Sequence, residues 1–159
     1  MQQFKRFSIN STRTHLLILV TAAAFIGVYL VATTAVMSKD GVFYIERAQK
    51  LDSQLYSLAK DHPIGYPAMI HGVHGIISRF APTESVETWI LAGQATSTFF
   101  RIMAVIPVYL IGAFFVGKRS AFIGTVILLV LPYPAHYGAE VIRDWPHLFF
   151  LAMGFLALL

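Results

Sequence analysis

An all-α, polytopic membrane fold is what this sequence predicts: several transmembrane helices with an outer loop of amphipathic interfacial helices. Three observations predict it. Hydrophobic residues make up 57% of the 159 and charged residues only 13%, where soluble domains carry about 25%. Leu16 to Met37 is a run of twenty-two residues without a charge. Further along, apolar residues recur at helical spacing. So few charges cannot cover the surface of a water-soluble fold, so lipid is the expected solvent. The absence of cysteine excludes disulfides and thiolate metal sites. The net charge of +4 is scattered, with no Lys/Arg run of the kind that grips nucleic acid, which is excluded as a partner.

In chain order, residues 1–15 read as a cytoplasmic tail carrying Lys5, Arg6 and Arg13. Residues 16–37 form a first span of about 33 Å, enough to cross the hydrocarbon core. A signal peptide is the rival reading, but the apolar run is too long and "VATTAVM" offers no good cleavage site. Residues 38–88 form an outer loop, and 89–116 a second span interrupted by Gln94 and Arg101. The turn "GKRS", 117–120, leads to a third span, 121–139, marred by "LPYPAHYG". An outer turn, 140–144, precedes the start of a fourth span, 145–159. The final "LFFLAMGFLALL" stops inside an apolar run with no terminating signal after it, and reads as the N-terminal part of a larger transmembrane domain.

Sidedness follows from the basic residues. The tail and "GKRS" carry Lys and Arg without an acid, whereas 38–88 carries five basic residues against six acids. The positive-inside rule makes the tail and "GKRS" cytoplasmic. The 38–88 loop and the "AEVIRDW" turn then share the outer face, and the "NST" sequon at Asn10 stays inside.

Within the loop, Val42, Ile45, Ala48, Leu51, Leu55 and Leu58 step by three or four, as one amphipathic helix. After "DHPIGYP", Tyr66, Met69, Ile70, Val73, Ile76, Ile77 and Phe80 do the same. Two such helices would lie flat at the membrane interface. Thr83, Glu84 and Ser85 are candidate caps for the helix that follows.

The residues able to carry chemistry are few. Asp40 stands at the mouth of the first span. A first-turn acid is favoured by the helix macrodipole alone, so local pattern weighs a structural role equally with a functional one. In "HPIGYP", His62 and Tyr66 flank a helix-breaking turn, and that turn alone would account for them. His71 and His74 lie one turn apart, yet without a third ligand they read as an interfacial pair, so no metal site is assigned. Glu140, Arg143 and Asp144 would share one face if helical. Arg101 lies fifteen uncharged residues before Gly117; a buried intramembrane Arg expects an acid as partner.

Together these features resemble a family. A short tail, one span, an outer loop opening with "DGVFYIERA", then "HPIGYP" and "AEVIRDWPHLFF", is similar to the polyprenyl-phosphate-sugar-dependent glycosyltransferases of the GT-C fold. The closest branch is the protein O-mannosyltransferase and aminoarabinose-transferase superfamily, with its family 39-like bacterial members. The resemblance implies a multi-pass protein of the plasma membrane with its active site on the outer face. It implies transfer of a sugar from a polyprenyl-phosphate carrier to an acceptor hydroxyl, with inversion. On this resemblance Asp40 is the catalytic acid–base residue, and Tyr44, His62, Tyr66, Glu140, Arg143 and Asp144 bind substrate. No cofactor follows from it, and a divalent cation is left open. Gly41 stands where some members have a second acid, which departs from protein O-mannosyltransferases proper. A part of a transporter or a non-catalytic membrane scaffold are the alternatives.

Overall fold

The computed structural model describes residues 9–34, 38–61, 63–80, 85–131 and 140–159. The described residues form seven helices: α1 (Ile9–Thr33), α2 (Lys39–Gln49), α3 (Leu51–Asp61), α4 (Gly65–Ile77), α5 (Val86–Val116), α6 (Lys118–Val130) and α7 (Asp144–Ala157). No strand occurs among them. Among the described residues two stretches are long and apolar enough to cross a membrane, Ser11–Thr33 and Val86–Val116. The helices α6 and α7, of 13 and 14 residues, reach only about 20 Å each.

α5 is the axis of the molecule and packs against α1, α2, α4, α6 and α7. It starts at Ser85, whose Oγ accepts a hydrogen bond from the Thr88 amide at 3.3 Å. It stops at Gly117, whose φ of +84° and ψ of 157° suit glycine alone. That turn reverses the chain into α6, so Gly112 meets Ala121, and Arg101 meets Leu129. α1 is also antiparallel to α5: His15 Nδ1 lies 2.9 Å from the Tyr109 hydroxyl, and Gly27 faces Thr98. α7 runs parallel to α5, with Phe100 beside Phe149 and Phe115 beside Phe155. Leu19, Ala23, Val105, Tyr109, Ala113, Ala121 and Leu129 fill the seam of α1, α5 and α6. At its far end Lys118 Nζ donates to Ser11 Oγ at 3.3 Å, so the basic turn and the basic tail's helix meet.

Several expectations are corrected. Among the described residues the first helix already runs from Ile9 and takes in Arg13, because nothing in "NSTRTH" breaks a helix. The expected single helix over 42–58 is two, α2 and α3, parted at Lys50. Ser38 caps α2 by accepting from the Gly41 amide at 3.2 Å. A second small core, Ile45, Ala48, Tyr66, Ile70, Ala92 and Val141, binds α2 and α4 to the first turns of α5. The outer loop is therefore folded back onto α5 as well as presenting Val42, Leu55, Tyr56, Ile76 and Phe80 outward.

Candidate functional site

The site is assembled by three segments. α2 presents one face at steps of four and three: Asp40, Tyr44 and Arg47, with Phe43 beside them. The start of α4 adds Gly65, Tyr66 and Met69, and the first turns of α7, with the residue before them, add Arg143, Pro146, His147 and Phe150. These residues line a cavity of about 480 Å³.

Asp40 is exposed in the first turn of α2, where the helix dipole favours a carboxylate. Tyr44 meets Tyr66 edge-on, with ring centroids 5.1 Å apart. Arg47 is only 9% exposed, and its guanidinium carbon lies 3.6 Å from the centroid of the Phe43 ring. A cation over an aromatic face is held both electrostatically and by its stem's packing. Among the described residues Arg47 has no ion pair. Arg143 enters the same cavity from the opposite wall. One carboxylate and two guanidinium groups thus share one space.

Tyr66 is buried, and its hydroxyl lies 2.7 Å from Ser97 Oγ. Ser97 in turn donates to the Ile142 carbonyl at 3.3 Å, so the Tyr66 hydroxyl is the donor. Burial pushes the Tyr66 pKa up, with the Ser97 bond pulling weakly the other way. The phenol is neutral at physiological pH and serves as a fixed hydrogen-bond donor.

Of the residues expected from sequence, Asp40, Tyr44, Tyr66 and Arg143 come together in this cavity. His62 lies outside the described residues. Glu140 and Asp144 are not among the lining residues, and the expected shared helical face of 140, 143 and 144 is not formed. α7 begins only at Asp144, which takes the first-turn place that suits an acid. Glu140 precedes it in non-helical chain, with Oε2 buried and without a hydrogen-bond partner among the described residues.

Arg101 also departs from expectation. It is fully buried, yet no acid lies within ion-pair distance among the described residues. Its Nη2 donates to the Leu129 carbonyl at 3.1 Å, and its guanidinium carbon lies 5.6 Å from the Trp145 ring centroid. A carbonyl in the last turn of α6 lacks an intrahelical partner, and a cation there is favoured by the dipole.

The histidine pair is divided between neighbours. His71 Nδ1 donates to the Ala48 carbonyl at 3.0 Å while Nε2 faces Asp52 Oδ1 at 3.4 Å. His74 stacks flat on Trp89, 3.5 Å between centroids. No group of three or more His, Asp or Glu able to hold a metal ion occurs among the described residues.

Arg47 and His147 join the site without having been marked in the sequence. For Arg47 a signal exists: Asp40, Tyr44 and Arg47 fall at i, i+4 and i+7, one face of a helix. His147 carries no such pattern, being set by the packing of α7 on α5. Compared with family models, with curated proteins and with solved structures, the chain matches none.

Proposed function

We propose that this protein is a membrane glycosyltransferase of GT-C type that uses a polyprenyl-phosphate-linked sugar as donor. The observation that carries this reading is one cavity that Asp40 shares with two arginines, Arg47 on the same helix face and Arg143 from the α7 side, beside helices apolar enough to meet lipid.

The chemistry needs few groups. Asp40 takes the proton of the acceptor hydroxyl as that oxygen attacks the anomeric carbon. The bond from that carbon to the phosphate oxygen breaks on the opposite face, inverting the centre. The electron pair leaves with the lipid phosphate, whose added charge Arg47 and Arg143 stabilise. Phe43, Tyr44, Tyr66 and Phe150 supply the aromatic surface against which a sugar ring packs.

The test is sugar transfer from a radiolabelled polyprenyl-phosphate donor by the full chain in liposomes. Asp40→Asn keeps the shape and still suits a helix start, but cannot accept the proton. Transfer should fall by about 10²–10⁴-fold with folding unchanged, while Asp52→Asn, exposed at the first turn of α3, should match the wild type. A folded Asp40→Asn protein that keeps most of its rate would remove Asp40 from the mechanism.

A further inference from the structure

Three residues of α5 that meet the 140–147 segment, Gly93, Ser97 and Arg101, are spaced four apart and so lie in one row along the helix. Each holds one point of that segment by different chemistry. Val141 lies so close to Gly93 that an added Cβ would stand 2.7 Å from both of its methyls. Ser97 donates to the Ile142 carbonyl at 3.3 Å and accepts from Tyr66 at 2.7 Å. Arg101 faces the Trp145 ring at 5.6 Å while bonded to Leu129 at 3.1 Å. Between and just beyond these points stand Arg143, Pro146 and His147, the residues that form one wall of the cavity.

We propose that the row Gly93–Ser97–Arg101 sets the position of that wall, and that Arg101 is a positioning residue for Arg143 and His147. The geometry gives Arg101 its particular place in the row. A guanidinium has five N–H donors and a flat face, so one side chain bonds the end of α6 and faces a ring on α7 at the same time. It therefore fixes Leu129 and Trp145 relative to each other and both relative to α5. Ser97 couples the same wall to Tyr66 on α4, so the two sides of the cavity are referred to one helix. The inference rests on the cavity's geometry; the proposed transfer reaction supplies only what Arg143 would bind.

The test measures geometry and is silent on transfer. The chain has no cysteine, so two introduced cysteines carry spin labels at chosen points of the full chain in nanodiscs. One pair, Val42 and His147, spans the cavity from α2 to α7. The control pair, Val42 and Ile76, joins α2 to α4. Arg101→Met should lengthen and broaden the 42–147 distance distribution and leave 42–76 unchanged. Arg101→Lys, which keeps the charge but loses the flat five-donor fork, should broaden the 42–147 distribution nearly as much as Arg101→Met does. Trp145→Leu, which leaves the Arg101–Leu129 bond in place, should broaden 42–147 as Arg101→Met does, and decides the matter if Arg101→Met fails to fold. An unchanged 42–147 distance in either folded variant overturns the proposal. So does broadening of both pairs together, which would make Arg101 a general stabiliser.

Discussion

Tyr66 forms part of the cavity wall, meets Tyr44 edge-on and donates to Ser97. Its burial raises its pKa, so its contribution to stability depends on pH in a definite direction. In the unfolded chain a tyrosine ionises near pH 10, about its ordinary value. Below that pH the phenol is neutral in both states and its full contribution is present. Above it the unfolded state loses the proton first, so stability falls as pH rises towards the folded value. Tyr66→Phe should cost about 1 kcal/mol at neutral pH through the lost hydrogen bond, and its stability should fall less than the wild type's between about pH 9 and about pH 11. Equal slopes in detergent-solubilised unfolding would mean that the phenol is not buried as described. At this scale the sequence showed Tyr66 but not why it matters. "HPIGYP" marks a turn, whereas the partner Ser97 is 31 residues away and no local pattern joins them. Arg47 shows the reverse case, since the face it shares with Asp40 follows from helical spacing alone.

The close seams of α5 decide how its neighbours sit. Small residues allow helix backbones to approach where lipid offers no hydrophobic drive for association. Gly93 is the tightest point near the cavity, and the side chain it meets, Val141, is wholly buried and β-branched. Val has little rotamer freedom with which to escape a new methyl, so the clash passes to the backbone leading to Arg143. Gly93→Ala should therefore destabilise the fold by about 1–3 kcal/mol, the range for overpacking a tight contact. Val141→Ala in the same chain should restore part of that loss by making room. Simple additivity in this double-mutant cycle, read by denaturant unfolding, would mean the two side chains do not compete for one space. Long apolar runs made α1 and α5 legible in the sequence. The division of α2 from α3 was not, because the apolar stripe continues through Lys50 and only the packing of α4 against α2 reveals the break. The start of α7 at Asp144 lies one residue from the position read in the sequence, and the contacts of Val141 and Ile142 with α5 hold the turn before it out of helical form.

For the whole molecule the question is which ends lie together, and two independent lines bear on it. The distribution of Lys and Arg assigns the tail and the "GKRS" turn to one face by the positive-inside rule. The packing arrives at the same grouping without any count of charges. α1 and α6 run against α5, while α7 runs with it, as the contacts of His15 with Tyr109, Arg101 with Leu129 and Phe115 with Phe155 require. The start of α5, the start of α7 and the α2–α4 segment therefore lie at one end, with Asp40, Arg47 and Arg143. Arg13, Lys118 and Arg119 lie at the other, where Lys118 reaches Ser11. If the bilayer surrounds α1 and α5, single cysteines at Ser53 and His147, both exposed, should react with a membrane-impermeant thiol reagent in intact cells. A cysteine at Ser120, also exposed, should react only after the membrane is opened. The no-cysteine background makes each signal unambiguous. Reaction at Ser120 in sealed cells with none at Ser53 would invert the orientation and move the cavity to the cytoplasmic face, away from an externally presented donor. Reaction at all three would mean that the chain does not divide two compartments, and the transferase reading would lose its lipid-borne substrate.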